Sequence, residues 1–490
     1  MKKFIVLGSG TAGLIAAGMI KRYWGDKVQV SLYYDASKKN IAVGESTTPI
    51  VHLFLNAMGL TTADLIRDLN VTIKLGINFK DWIPGTEYFH GFQEVPFYGE
   101  PDNSTAIYSI PNDCYDGGLL YNEATTTLPQ KQFEYIHALH IDTQDFSNYM
   151  FEKLSDEINF IDDVAEKINI KDNKIESIDF KNTGNVTADF YIDCSGFSSL
   201  LIKNLEPKWV DILEYLPIDR AIPQQVPYNF EEVPSYTLAE ATDNGWIWQI
   251  PIGNRYGTGY LYSSKFTTDE EAREKYNAWL LERFGVELKT DRIIHYKPGY
   301  YEQAWMGNCL SVGLSSGFVE PLESTGIHII VKQLHDFIEL NSNLTFLEHN
   351  RKRFNENNLK TYETIVDFIC LHYNTNRTDS DFWRYMTENK KKWVKDFDEK
   401  CRNEFLDRFG LGDNPSNFFW PLDSFIQVAN GLQMFDKESI NQYLNSKHNK
   451  DQILDMVKEN FSYNKLKKSE HLQISHKKVI NYLRTNYHDA

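Results

Sequence analysis

The sequence predicts an α/β protein: a Rossmann-type dinucleotide-binding domain that also carries an antiparallel sheet, joined to a mainly helical module. Three observations carry the prediction. An apolar run, Phe4-Ile5-Val6-Leu7, leads directly into Gly8-Ser9-Gly10-Thr11-Ala12-Gly13 and then into an apolar helical stretch from Leu14 to Ile20. Two later apolar segments end on glycine turns, at Asp193-Cys194-Ser195-Gly196 and at Leu310-Ser311-Val312-Gly313. From 331 onward the pattern is helical with a polar tail. The expected division is a dinucleotide domain over 1–330, with an insertion at about 82–134, and a helical module over 331–490.

Taken in order, the first element is G-x-G-x-x-G in strand–turn–helix context, the setting the dinucleotide fingerprint requires. Gly8 suits the tight turn, Gly10 lets a pyrophosphate approach the backbone, and Gly13 lets helix and strand pack closely. Thr11 and Ala12 lie in the same turn, where the helix N-terminus offers free N–H groups and the positive end of its dipole to phosphates. The next strand, Val28 to Tyr33, ends near Asp35, where a ribose-binding acid is expected; Tyr34 beside it leaves the exact position open. A signal peptide is the competing reading, because Met1-Lys2-Lys3 precedes an apolar run. The glycines at 8, 10 and 13 make a poor apolar helix, and a strand follows on schedule.

Val43 to Pro49 reads as a loop from its Gly, Pro and hydroxyl content, and residues 50–80 as mainly helical. The stretch from Trp82 to about Glu134 is rich in Pro, Gly, Tyr and Asn without steady period; long irregular stretches of this kind often carry function. A helix is expected over 135–155, a hairpin over 168–178 and a strand over 188–196. Several antiparallel strands are expected over 235–300, a last buried strand at 310–313, and a helix beginning near Ser324.

The chain has 490 residues and a net charge of −17 without a long basic run, which argues against nucleic acid and against an anionic membrane surface. No apolar segment is long enough to span a bilayer. The five cysteines are scattered with no C-x-x-C, which suits reduced thiols in a cytoplasmic protein and gives neither a metal site nor a disulfide framework. Glycine-ended strands at Gly196 and Gly313, following the first turn, favour FAD over NAD. In Gly245-Trp246-Ile247-Trp248-Gln249-Ile250-Pro251, strand alternation puts Trp246 and Trp248 on one side. They form either an indole wall or two ordinary core tryptophans, and composition alone favours the second.

With these residues assembled, the chain resembles the flavin-dependent tryptophan halogenases, over most of its length to about residue 385. The resemblance rests on G-x-G-x-x-G at 8–13, the Gly44-Glu45-Ser46-Thr47 strap and Thr72-Ile73-Lys74-Leu75-Gly76-Ile77. It continues through Trp246-x-Trp248-x-Ile250-Pro251, the stretch from Gly317 to Gly326 with F-x-x-P-x-x-S-x-G, Tyr362-Glu363, and Phe368-x-x-x-His372-Tyr373. W-x-W-x-I-P is close to diagnostic of that family.

The resemblance implies a flavin monooxygenase-like fold and an FADH2-dependent halogenase. Reduced FAD reacts with O2 to give a flavin hydroperoxide, a halide (chloride, bromide or iodide) is oxidised to hypohalous acid, and the acid passes along a tunnel to a lysine beside an electron-rich aromatic of indole or phenol type. Lys74 matches that lysine. Apolar residues on both sides of it suit a partly buried amine, and burial favours the neutral nucleophilic form. Glu323 matches a glutamate that orients the acid or takes a ring proton, although a first-turn carboxylate is also favoured by the helix dipole. Thr325 and Gly326 match a halide-binding N–H pair. Trp246, Trp248, Ile250 and Pro251 match a wall that keeps organic substrate from the flavin, while His90, Phe92 and Ser324 match substrate-flanking positions. No second G-x-G-x-x-G is present, so FADH2 is expected from a separate flavin reductase.

The tyrosine pair and glutamate with which tryptophan-specific members clamp the amino acid are missing from the C-terminal third. Tyr300-Tyr301-Glu302 lies before the final cofactor strand, in the wrong place. Free tryptophan is therefore not implied. A flavin-dependent aromatic hydroxylase and a non-catalytic flavin-binding protein are the rival readings. The sequence leaves open whether the protein is a homo-oligomer, and gives residues 385–490 no role.

Overall fold

The computed structural model describes residues 1–38, 44–92, 137–227, 233–403, 420, 422–435 and 476–486. Most of the expected insertion, from residue 93, lies outside the described residues. The chain forms two compact units that interleave in sequence. The first comprises Met1–Val71, Ala138–Leu213 and His295–Glu363; the second comprises Thr72–His137, Glu214–Ile294 and Thr364–Ala490. These units do not meet at residue 330, where the sequence suggested a division. Helix Thr325–Leu340 packs against helix Thr11–Trp24 and so belongs to the first unit.

In the first unit the main sheet runs, in spatial order, Trp305–Met306, Cys309–Ser311, Phe190–Asp193, Lys2–Leu7, Val28–Tyr34 and Asn159–Asp162. All neighbours are parallel except the edge pair Trp305–Met306 and Cys309–Ser311. Parallel neighbours need crossover connections, and Thr11–Trp24, apolar along nearly its whole inner length, supplies the first. The register aligns Leu7 with both Asp193 and Tyr33. The glycine turn, Asp35 and the Gly196 turn therefore all leave the carboxyl ends of neighbouring strands, where ligands of open α/β sheets bind. Asp193 sets the Gly196 turn. Its fully buried carboxylate accepts from the Ser195 N–H (3.0 Å) and hydroxyl (2.6 Å) and from the N–H groups of Leu201 (2.7 Å) and Ile202 (2.9 Å).

The expected hairpin is present as Ala165–Lys171 and Lys174–Phe180, turning through Asp172 and Asn173 in left-handed conformation. The expected helix over 135–155 is shorter. Strand Ala138–Ile141 precedes helix Thr143–Leu154, and the Asp142 carboxylate ends the strand by accepting from the Gln144 and Asp145 N–H groups.

The second unit is built on a sheet in which Arg220–Pro227, Arg255–Tyr262, Gly245–Ile252, Tyr236–Thr242, Gly76–Lys80 and Glu87–Gly91 neighbour one another in that order. The sheet is mixed, not antiparallel as expected, because Tyr236–Glu240 runs parallel to Gly76–Lys80. Residues 72–80 are strands, Thr72–Lys74 and Gly76–Lys80, where the sequence suggested helix. Conversely, the expected strand region 235–300 contains helix Asp269–Phe284, which buries Ala272, Tyr276 and Leu280 and starts with a capping box between Thr268 and Glu271. The C-terminal part is helical as expected, with Asp381–Glu388, Lys392–Asn403, Leu422–Gly431 and His476–Asn486. Among the described residues no helix is long and apolar enough to cross a membrane, and no cluster of His, Cys, Asp and Glu could hold a metal ion.

Candidate active site

The first unit gathers the expected cofactor residues. A β-carbon added at Gly13 would sit 1.8 Å from the Gly8 carbonyl oxygen, so only glycine allows this strand–helix contact. Gly8 itself has φ +113° and donates its N–H to the Tyr33 carbonyl (2.8 Å). Helix Thr11–Trp24 begins at Gly10 with no side-chain cap and no acid in its first turn, which leaves its leading N–H groups available to an anion. Nothing lies within 4 Å of a β-carbon built at Gly10, so the turn is open on that side. Ala12 neighbours Gly313, whose N–H donates to the Gln333 amide oxygen (3.0 Å). The Ser315 hydroxyl donates to the Gly196 carbonyl (3.2 Å), which joins the two later glycine turns. Asp35 follows Val28–Tyr34, and its carboxylate is held below the usual range chiefly by the Ser37 hydroxyl, which donates to it at 2.5 Å. An open glycine turn, an uncapped helix start and a carboxylate at the end of the second strand form a donor and acceptor set that fits a dinucleotide such as FAD.

Against this turn lies the strap. The Thr11 hydroxyl donates to Glu45 Oε1 (3.5 Å), and a β-carbon at Gly326 would lie 3.9 Å from Glu45 Oε2. Ser324, at φ +59°, donates its hydroxyl to Ser46 Oγ (3.0 Å) and does not cap helix Thr325–Leu340. That helix also lacks an acid in its first turn, so the N–H groups at Thr325 and Gly326 are disposed toward an anion. Burial pushes Glu45 up to about 7, against the opposing hydrogen bond from Thr11. At about 7 this carboxyl is only partly ionised at neutral pH, which weakens its repulsion of any anion near the Gly326 N–H. Gly44 is buried at φ +87°, Thr47 is tied to Leu139, and Glu323 is fully buried. Thr48 Oγ1 is 2.7 Å from His328 Nδ1, and burial, with Lys332 nearby, holds His328 well below its ordinary value.

The second unit presents Lys74. The side chain is fully buried, at 0% exposure, on strand Thr72–Lys74. The residues on both sides of it are tied down. The Thr72 hydroxyl donates to the Pro251 carbonyl (2.6 Å), the Ile73 N–H to His476 Nε2 (3.0 Å), and the Leu75 N–H to the Ser235 carbonyl (2.7 Å). The Phe92 N–H donates to the Leu75 carbonyl (3.1 Å), and the Phe92 ring centroid is 4.9 Å from Lys74 Nζ. Lys74, Phe92 and the end of the W-x-W-x-I-P strand are thus brought together.

Trp246 is buried and Trp248 is partly exposed on strand Gly245–Ile252, with Ile250 and Pro251 buried beyond them. Trp248 lies across its partner Gly259, where a β-carbon would be 2.0 Å from the indole. His90, on the strand before Phe92, is buried with its ring edge-on to Phe368 (5.6 Å) and Trp420 (6.0 Å).

The sequence points to Lys74 as a candidate but not to what holds it. Thr72 stands two residues before Lys74 in the same stretch, and its hydroxyl ties the lysine strand to the tryptophan motif. Gln333, which bridges Gly313, Ser316 and Asn358, carried no signal beyond a glutamine on an apolar helix.

Residues 3–446 match the model of the tryptophan halogenase family. The chain belongs to that family. Like the other tryptophan halogenases it is a flavin-dependent enzyme, an oxidoreductase. It is 30% identical over 425 residues to tryptophan 7-halogenase RebH of Lentzea aerocolonigenes, covering 78% of each chain. It is 29% identical over 422 residues to tryptophan 6-halogenase SttH of Streptomyces toxytricini, covering 78% of this chain and 80% of that one. In structure it is similar to BrvH, a flavin-dependent halogenase from Brevundimonas sp. BAL3, with a TM-score of 0.83, 25% identity and 99% of each chain covered. For this halogenase the family assignment accounts for the G-x-G-x-x-G turn and the W-x-W-x-I-P strand together.

Proposed function

We propose that this halogenase uses FADH2 and O2 to oxidise a halide and delivers the halogen through Lys74 to an electron-rich aromatic of indole or phenol type. The observation that carries the reading is Lys74 itself, a wholly buried lysine on a strand fixed at Thr72, Ile73 and Leu75, with Phe92 beside its amine. Burial favours the neutral, nucleophilic form of a lysine amine, and a nitrogen held in place suits capture and transfer of an electrophilic halogen.

FAD, bound in a Rossmann-type domain and delivered reduced by a separate reductase, supplies the electrons with which O2 and halide give hypohalous acid. The 8–13 turn and its helix start receive the pyrophosphate, Asp35 receives a ribose, and Gly196, Gly313 and the Gly44–Thr47 strap bound the remainder. The Thr325 and Gly326 N–H groups hold the halide. Lys74 Nζ either displaces water from the hypohalous acid to form a haloamine or holds the acid by a hydrogen bond, and Glu323 orients the acid or accepts the ring proton. Trp246 and Trp248 keep the organic substrate from the oxygen chemistry, and Phe92 bounds the ring to be halogenated.

Named relatives act on tryptophan, but a substrate other than free tryptophan fits this chain better. Its Tyr300-Tyr301-Glu302 run is part of the fold, with Tyr300 stacked on Tyr362 at 4.7 Å. The test is mass spectrometry of products from a panel of indoles and phenols, with FAD, a flavin reductase and chloride, bromide or iodide in parallel. Products bearing the supplied halogen are expected. Hydroxylated products formed equally without halide would overturn the reading in favour of a monooxygenase.

A further inference from the structure

Strand Thr72–Lys74 is only three residues long, so the groups that grip it decide where the lysine amine points. One grip comes from far along the chain. The Ile73 N–H donates to Nε2 of His476 (3.0 Å), a contact between residues 403 positions apart. The other ring nitrogen, Nδ1, lies 3.1 Å from the Val233 carbonyl oxygen. A carbonyl can only accept and a backbone N–H can only donate. The pair of contacts therefore selects one neutral tautomer, with the proton on Nδ1 and the lone pair of Nε2 turned to Ile73. His476 is buried at the first position of helix His476–Asn486, which is anchored by buried Ile480. Burial holds the imidazole down at about 4, against the raising effect of the Val233 and Pro234 backbone, so Nε2 remains an acceptor at neutral pH.

This histidine lies beyond residue 446, past the stretch that matches the family model, in the part of the chain to which the sequence gave no role. Through Nε2 it holds the peptide directly before Lys74, and through Nδ1 it holds the Val233 carbonyl.

We propose that His476 is a positioning residue for Lys74: the C-terminal helix delivers a neutral imidazole whose Nε2 fixes the Ile73 peptide, and with it the direction of the lysine amine. The proposal rests on the reading of Lys74 as the halogen carrier. Displacement of a reacting group by about 1 Å can cost on the order of a hundredfold in rate, so a residue that never meets substrate can still set the efficiency of transfer.

The experiment compares wild type, His476→Gln, His476→Phe and Lys74→Ala, all as full-length protein loaded with FAD. The readouts are halogenated product per FADH2 oxidised with free hypohalous acid scavenged, the FADH2 oxidation rate, FAD affinity and melting temperature. Gln can place an amide oxygen near the Nε2 position, whereas Phe keeps the bulk and removes both bonds. His476→Phe is expected to lose about tenfold in product per FADH2, with oxidation rate and FAD affinity within about twofold of wild type. His476→Gln is expected to retain at least half of the wild-type yield. Equal yields for wild type and His476→Phe would overturn the proposal, as would equal losses in the Gln and Phe variants.

Should His476→Phe not fold, nitrogen NMR of the wild-type imidazole decides. The Nδ1–H tautomer together with a slowly exchanging Ile73 amide is expected; the Nε2–H tautomer, or a freely exchanging amide, overturns it. Lys74→Ala separates the two levels. Undiminished product there removes the lysine reading and the proposal with it. Loss in Lys74→Ala with none in His476→Phe removes only the proposal.

Discussion

Gly10→Val tests the cofactor turn, because the structure separates its effect on the fold from its effect on binding. Gly10 has φ −69° and ψ 179°, an extended conformation open to any L residue, and no atom lies within 4 Å of an added β-carbon. Placing valine at this N-cap should cost the apoprotein no more than about 1 kcal/mol. The isopropyl group would fill the space through which a pyrophosphate reaches the helix N–H groups. Loss of two hydrogen bonds to charged oxygens, at about 1.5–3 kcal/mol each, gives at least ~3 kcal/mol, or a hundredfold or more in FAD affinity. Gly13→Ala is the contrast. Its β-carbon would lie 1.8 Å from the Gly8 carbonyl oxygen and 2.9 Å from the carbonyl carbon, a backbone clash that should lower the melting temperature sharply or prevent folding. The assay is FAD titration by flavin fluorescence beside thermal melting by circular dichroism. A folded Gly10→Val protein that binds FAD within about threefold of wild type would refute the assignment of the turn.

Glu45 and Phe92 give further tests. Glu45 rises from 4.5 in its ordinary state to about 7 in the fold, so between those values the native protein holds a proton that the unfolded chain releases. Stability of the FAD-free protein should therefore fall as pH rises from 4.5 to 7, by at most about 3 kcal/mol; urea unfolding across that window should show this slope in wild type and lose it in Glu45→Gln. Phe92→Ala should raise the apparent KM severalfold or change the ring position halogenated while leaving FADH2 oxidation unaltered; an unchanged substrate profile and regiochemistry would remove Phe92 from the substrate site.

What the sequence revealed, and what it hid, follows from the range of each signal. The nucleotide turn was legible because each of its glycines answers a local steric demand within a few residues, and the hairpin at Asp172-Asn173 was legible for the same reason. The Lys74 segment was misread as helix. Thr72–Lys74 and Gly76–Lys80 are too short to show a period of two, and their partners, Tyr236–Glu240 and Pro251, lie far along the chain. Helix Asp269–Phe284 did announce itself, through Thr268 and Glu271 and through Ala272, Tyr276 and Leu280 at intervals of four; neighbouring strand patterns masked it. Lys74 emerged only through family resemblance, since a lone lysine in an apolar run has no meaning of its own. Its support could not be read at all, because His476 is one histidine in a polar tail and gains its role only when the fold closes.

The central claim is that halogen reaches the substrate through Lys74, and the most direct measurement is halogenated product per FADH2 oxidised in Lys74→Ala and in Lys74→Met, which keeps more of the side chain's bulk, with free hypohalous acid scavenged. The account predicts near wild-type FADH2 oxidation and a loss of product of at least about a hundredfold, roughly 2.7 kcal/mol in transition-state stabilisation. Lys74→Arg should give no rescue, because guanidinium stays protonated. Product from Lys74→Ala or Lys74→Met at close to the wild-type ratio would contradict the account.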